Sequence, residues 1–431
     1  MQQHHFTIIV PTRERADTLY WTLRTLVAQD YENLTILVSD NYSQDNTKEV
    51  VDSFQDKRIK YVNTGKRVEM ALNWEFALSH VKEGYVGFLG DDDGYLLGSI
   101  KLINYLINKY PTQAITWKMA SYGWPNLDYE NYNNAFGYSF GNTVFYKNSI
   151  KELNYLEKNY HDFYHTLFNM YPNGVVSIDV INRLKGKNNR FFNACAPDIY
   201  SAIAITKELS TFLYTDICLS MSGTSKKSNS GSSLGANAHS NSQNLELNKF
   251  FTELKEMPLY PKLPRELDVL LVAIADAYIN MEIHTLGYSP SEQKWLKIVI
   301  DKSLKKFETG TNNNDLFESK LIELAEHVNM GSQIRNKIAK IKRKRIDKPT
   351  QQNDDVVVSG LIDKDSLRFE YKADFLGVKN IYDAASFVSY YLSMTNYDHH
   401  RINFIKAPYY NKFYSRVISF IDRHWKRLIS E

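Results

Sequence analysis

The chain has 431 residues, long for one domain and comfortable for two. Its hydrophobic fraction of 43% and charged fraction of 23% are ordinary for a soluble globular protein, and a net charge of +3 is too small to make nucleic acid the expected partner. Two cysteines, Cys195 and Cys218, cannot build a disulfide framework and have no metal-like spacing, so a reducing compartment fits.

Phe6 to Val10 reads as a strand ended by Pro11, and Ala16 to Gln29 carries Leu19, Leu23, Leu26 and Val27 at helical spacing. Leu34 to Ser39 is a second strand that runs into the polar turn Asp40-Asn41-Tyr42-Ser43. A helix over Asn46 to Phe54, a strand over Ile59 to Val62 and a helix over Val68 to Val81 lead to a fourth strand at Tyr85 to Leu89. This alternation predicts an α/β class with a mainly parallel sheet and helices on both faces. The fourth strand stops at Gly90-Asp91-Asp92-Asp93. Ligand sites of open α/β sheets lie at the carboxyl ends of such strands. Three adjacent acids repel one another there unless a divalent cation neutralises them, and that cation can also bridge substrate phosphates. The simpler reading is a helix cap or solvated turn, since Asp favours the residues just before a helix.

From 113 to 180 the pattern weakens into loops rich in Gly, Asn and Tyr. Phe191 to Ala196 reads as extended, and Pro197-Asp198 opens a helix over Ile199 to Leu209. Residues 222 to 244, rich in Ser, Asn, Gly and Lys, cannot bury a core and suit a linker or a lid. Beyond them Leu267 to Leu286, Ser291 to Phe307 and Leu316 to Ile341 show helical periodicity, and a last helix is expected over Phe413 to Ile429. The expected division is a catalytic domain over 1–245 and a mainly α-helical region over 246–431. The basic run Lys337 to Arg345 is either a solvated face or a surface attracted to anionic lipid or a phosphorylated acceptor. No stretch is expected to match a transmembrane helix in length, and the strand at Phe6 leaves no room for a signal peptide. A cytoplasmic location follows, with peripheral contact at the inner face of the membrane; the helical region could also pair subunits in a homo-oligomer.

Four ordered blocks carry a family resemblance. Ile8-Ile9-Val10-Pro11-Thr12-Arg13-Glu14-Arg15 is followed by Leu37-Val38-Ser39-Asp40-Asn41, by Gly65-Lys66-Arg67 with Asn73, and by Leu89-Gly90-Asp91-Asp92-Asp93. Together they resemble the family 2 inverting glycosyltransferases of GT-A fold, especially bacterial members that assemble surface polysaccharides. The resemblance covers about residues 6 to 235. It implies a nucleotide-sugar donor, UDP being the commonest nucleotide, a divalent metal (Mn2+ or Mg2+), and a hydroxyl on a glycan or lipid-linked glycan acceptor.

Carried over residue by residue, Pro11, Thr12, Arg13 and Glu14 contact the nucleoside, Asp40 the base and Arg67 the diphosphate, and Asn73 belongs to the same nucleotide-sugar site. The acidic triplet matches the DXD element, with Asp93 the direct metal ligand, Asp91 nearer the ribose and the metal's water shell, and Asp92 the structural member on the nucleotide-sugar side. The family's base fits Asp198, although Pro197 stands where a Glu is common; Asp179 and Asp162 are the alternatives. Lys227, in a segment suited to close over a diphosphate, and His239, as an extra ligand, complete the candidates. A nucleotidyltransferase would need a glycine-rich loop after the first strand, which Pro11 to Arg15 is not. A binding or scaffold protein that kept the fold but lost catalysis is the remaining alternative.

Overall fold

The computed structural model describes residues 1–125, 133–186, 188–227, 254–309, 315–347, 368–394 and 403–404. The expected His239 and the helix over Phe413 to Ile429 lie outside the described residues, as does most of 222–244.

The first elements follow the expected alternation: β1 (Phe6–Thr12), α1 (Ala16–Val27), β2 (Leu34–Asp40), α2 (Thr47–Asp52), β3 (Ile59–Asn63), α3 (Met70–Leu78) and β4 (Tyr85–Phe88). These four strands pair in parallel in the order β3-β2-β1-β4. Phe6, Ile8, Ile9, Val10 and Phe88 are fully buried, which is why β1 and β4 read as continuous apolar runs and not as alternating ones. Helix α1 turns Leu19, Leu23 and Leu26 onto the sheet.

The weakly patterned middle supplies β5 (Gly94–Tyr95), α4 (Ser99–Lys109), β6 (Ala114–Gly123), β7 (Ala135–Ser139), β8 (Thr143–Asn148), α5 (Ser149–Leu156), α6 (Phe163–Thr166), β9 (Gly174–Ser177), α7 (Ile178–Leu184), α8 (Pro197–Glu208) and β10 (Thr211–Thr224). Strand β9 joins β4 to β6 by antiparallel pairing on both sides, so the sheet becomes mixed beyond β4. Long β10 pairs parallel with β6 and antiparallel with β5 and β8. This is the α/β arrangement expected of the first half, parallel over β3-β2-β1-β4 and mixed beyond it.

The later region is mainly helical: α9 (Val269–Leu286), α10 (Glu292–Thr309), α11 (Asp315–Glu326) and α12 (Gly331–Asp347). Trp295, Val299, Phe317, Leu321 and Ile334 join one buried cluster with Ile9, Trp74, Phe88 and Ile203, so the core runs without a break from the sheet into these helices. Helix α9 departs from the membrane expectation. With 18 residues and a mean hydropathy of 1.4 it is long and apolar enough to cross a bilayer. Half of it is buried in the protein, however, and its Asp276 and Glu282 are hydrogen-bonded inside, which is how a core helix behaves.

The chain then returns to the sheet, which periodicity did not show. Strand β11 (Arg368–Lys372) pairs antiparallel with β7, α13 (Ile381–Met394) lies against α1, β5 and β10, and β12 (Asn403–Phe404) pairs with β8. Arg24 of α1 lies 4.7 Å from the ring centre of Tyr382, and Leu97 N donates to Ser389 Oγ at 2.8 Å.

Candidate active site

Parallel pairing brings the ends of β1, β2 and β4 side by side: Thr12 is in register with Asp40, and the chain leaving β4 turns at Gly90 into the acidic triplet. Asp91, Asp92 and Asp93 are each at most 3% exposed, so the solvated-turn reading fails. Their partners differ. Asp91 accepts from Thr12 Oγ1 at 2.7 Å and lies 2.8 Å from the Arg15 guanidinium. The same guanidinium nitrogen is 3.4 Å from Asp92, whose Oδ2 also accepts from Ser225 Oγ at 2.6 Å. Asp93 turns the other way, accepting from Gly223 N at 2.7 Å and Gly90 N at 3.0 Å, one bond to each carboxylate oxygen.

Burial, and then its acidic neighbour Asp92, push the Asp93 carboxyl up to about 8. Burial also lifts Asp91, to about 6, with Arg15 pulling against it. Burial alone would lower Arg15, but Asp91 and Asp92 outweigh it and hold the guanidinium firmly protonated. The pocket therefore concentrates more negative charge than one arginine relieves.

The backbone shapes this pocket by close approach. The end of β10 crosses the motif so tightly that a Cβ at Gly223 would sit 1.7 Å from Asp92 O, which only glycine avoids. Trp124 Nε1 donates to that same carbonyl at 2.9 Å, and Thr22 Oγ1 to Asp93 O at 2.7 Å.

On the nucleoside side, Asp40 is buried and accepts from Tyr61 Oη at 2.6 Å, Asn63 Nδ2 at 3.0 Å and Ser43 N at 2.9 Å. Glu14 adopts a left-handed φ of 56° and accepts from Gln44 N, which folds the turn after β1 onto the turn after β2. Lys227 donates to Glu14 O at 3.1 Å, so the chain after β10 reaches the same edge. Asn41 exchanges two hydrogen bonds with the Val68 backbone and fastens the loop that carries exposed Arg67. Pro11 and Arg13 are half-buried at the β1 edge. Asn73 is placed differently from its neighbours: it is buried and bonded to Ser39, and supports the end of β2 from behind.

Asp198 lies in the first turn of α8, and its Oδ2 accepts from Tyr164 Oη at 2.9 Å. Burial raises this carboxyl and the Tyr164 bond opposes the rise. The Tyr171 hydroxyl ties the regions together: burial first, and then the charges of Asp93, Asp92 and Asp198, raise it, so the acidic motif and the candidate base lie within electrostatic reach of one group. Asp179 is exposed and acts on Tyr85, at the opposite end of β4, and Asp162 accepts from Tyr155 on the surface; neither joins the site.

Hard carboxylate oxygens beside a charge deficit fit a divalent cation. Among the described residues no three His, Cys, Asp or Glu side chains converge on one point. Each Asp93 oxygen accepts one backbone N–H, and each Asp91 oxygen is likewise engaged, by Thr12 or Arg15, so every one of these oxygens keeps a lone pair that a cation could use. Asp91 and Asp92 also face a common cation, Arg15. Arg15, Trp124, Tyr164, Tyr171 and Ser225 were not singled out by sequence reasoning. Arg15 had a local signal, as the last basic residue of the first block, and Ser225 one as a donor in the polar segment that carries Lys227.

Residues 7–180 match the family model described as glycosyl transferase family 2. Among curated proteins, the chain is 35% identical over 106 residues to the GalNAc(5)-diNAcBac-PP-undecaprenol beta-1,3-glucosyltransferase of Campylobacter jejuni, covering 24% of this chain and 34% of that one. It is 29% identical over 116 residues to the UDP-Glc:alpha-D-GlcNAc-diphosphoundecaprenol beta-1,3-glucosyltransferase WfaP of Escherichia coli, covering 27% and 45%. The matches thus span between a third and a half of these relatives. Among solved structures, S. aureus TarS 1-349 in complex with UDP-GlcNAc aligns with 12% identity and a TM-score of 0.45, over 82% of this chain and 95% of that one. PcManGT from Pyrobaculum calidifontis, a mannosyltransferase in complex with GDP-Man and Mn2+, aligns with 15% identity and a TM-score of 0.37, over 81% and 89%. Residues 7–180 are a glycosyl transferase family 2 domain.

Proposed function

We propose that the protein is a metal-dependent, inverting glycosyltransferase. It moves a sugar from a nucleotide donor, UDP-linked by analogy with the curated relatives, to a hydroxyl of a glycan or lipid-linked glycan in bacterial surface polysaccharide synthesis. One observation carries the reading. The buried acidic motif at the end of β4 is contacted by nucleotide-side residues, Thr12 and Arg15.

In this mechanism Thr12, Arg13, Glu14 and Asp40 form the nucleoside edge, and Arg67 and Lys227 approach the diphosphate. Asp93 and Asp91 would hold a divalent ion, Mn2+ or Mg2+, with Asp92 the structural member and Asp93 also tied into the turn through Gly90 and Gly223. Such an ion supplies charge stabilisation for the departing diphosphate. Asp198 takes the proton of the acceptor hydroxyl as that oxygen attacks the anomeric carbon, and the bond to the diphosphate breaks with its electron pair leaving on oxygen. Single displacement inverts the anomeric centre. A lipid-linked acceptor places the enzyme at the cytoplasmic face of the membrane, a location supported by exposed Lys337, Lys340 and Arg343 on α12.

Screening nucleotide sugars for transfer or hydrolysis, with Mn2+ and with a chelator, tests the reading. Asp198→Asn is expected to lose about 10²–10⁴-fold in turnover and keep UDP affinity. Full turnover of that variant moves the base elsewhere, and metal-independent transfer removes the ion from the reaction.

A further inference from the structure

The candidate base has a single side-chain hydrogen-bond donor among the described residues, the Tyr164 hydroxyl, 2.9 Å from Asp198 Oδ2. The turn that presents it is built to hold still. Phe163 beside it is fully buried, and Asn169 Nδ2 donates to Tyr164 O at 2.7 Å and Leu167 O at 3.2 Å. Thr166 Oγ1 closes the turn onto Asp162 O at 2.8 Å. Phe168 N then donates to Thr206 Oγ1 at 3.1 Å, two turns along the helix that Asp198 opens. The tyrosine turn and α8 are thus fastened at two points, the phenol–carboxylate bond at the first turn of the helix and the Thr206 bond near its end.

We propose that Tyr164 is the positioning residue of the general base: its hydroxyl pins Asp198 Oδ2 and leaves the other carboxylate oxygen to receive the acceptor's proton. The inference rests on the proposed role of Asp198. A half-buried phenol favours a hydrogen-bond partner, so the plain alternative is a tyrosine satisfied by a helix-opening carboxylate with no bearing on proton transfer. The two differ electrostatically. A hydrogen bond to the ionised carboxylate favours the charged form, which is the form a base must hold before the acceptor binds. Burial works in the opposite direction on this carboxyl, and the Tyr164 bond is the largest of the interactions that oppose it.

The other titratable groups nearby are engaged elsewhere or act on Asp198 without a bond. Tyr171 faces Asp198 and the acidic motif together. Glu75 of α3 accepts from Phe191 N and Phe192 N, Asp276 of α9 from Cys195 Sγ and Tyr260 N, and Tyr200 is bonded to Asn193. Tyr164 is therefore the group whose removal changes the base most directly.

The test is the pH profile of kcat/KM for transfer, with UDP affinity measured alongside. Tyr164→Phe is expected to move the acidic limb upward by about one pH unit, the size of a hydrogen bond to a charged group. Its loss of activity should then be about tenfold on that limb and small on the alkaline plateau, with UDP affinity unchanged. A ring-fluorinated tyrosine at position 164, a stronger donor with the same packing, should move the limb downward, which keeps the test alive if the phenylalanine variant folds poorly. Equal loss at every pH, or a limb that neither replacement moves, overturns the positioning role. Asp198→Asn separates the two claims. If it retains turnover the base reading itself fails; if it is inactive while the limb stays fixed, only the role of Tyr164 fails.

Discussion

Arg15 lies between two carboxylates of the acidic motif, 2.8 Å from Asp91 and 3.4 Å from Asp92, with its side chain about a fifth exposed (22%). Removing one member of such an enclosed ion pair typically costs about 3 kcal/mol, because the charge left behind is still buried. Arg15→Gln should therefore lower the melting temperature in chelator, and Mn2+ should restore more stability to the variant than to the wild type. Calorimetric Mn2+ affinity without nucleotide checks the same point: the variant should bind more tightly, since no internal cation competes. Weaker binding would mean that Arg15 assists the ion and does not substitute for it. At this scale the sequence was most readable where the chemistry is local. Thr12, Asp40 and the triplet stand at strand ends, and strand ends follow from apolar runs. The direction in which Asp93 points was not legible, because its partner Gly223 arrives by pairing along β6 and β10, 130 residues away. Trp124 and Ser225, the residues that follow the ends of the same two strands, reach Asp92.

Among the elements, α9 shows how a helix can look membrane-like and serve a site. Its Asp276 is fully buried, accepts from Tyr260 N at 2.7 Å and Asn280 Nδ2 at 2.8 Å, and takes the Cys195 thiol at 3.5 Å, three residues before the candidate base. Burial lifts its carboxyl from 3.8 to about 6. Between those values the folded state keeps a proton that the unfolded chain has released, so stability falls as pH rises through the window and levels off above it. The loss attributable to this group is about 3 kcal/mol over two pH units. Denaturant unfolding from pH 4 to 7 should show this slope in the wild type and lose that part of it in Asp276→Asn; identical slopes would remove Asp276 as the cause. The 3.6-residue periodicity of α9 to α12 was legible because each has a buried stripe. What the stripes pack against was not, because a helix pattern names a face and not its partner.

For the whole molecule, the late return of the chain was the least legible part. Five residues at β11 carry too short a pattern to stand out, and their partner β7 lies more than 200 residues earlier. Yet α13 closes over the acidic motif's surroundings. Ile381 stands 3.2 Å from where a Cβ at Gly94 would be, and Ser389 accepts from Leu97. A chain ending at residue 367 should bind UDP at least tenfold more weakly than the full chain while keeping most of its helix content, measured by calorimetry and far-ultraviolet circular dichroism. Unchanged affinity would make β11 and α13 dispensable ornaments of the sheet.

The bond between Leu97 and Ser389 spans 292 residues of chain. On a ribosome adding about 5–20 residues per second, Ser389 is made roughly 15–60 s after Leu97. Throughout that interval the acidic motif exists without its last support. The surroundings of the pocket that concentrates negative charge are therefore completed among the final steps of folding.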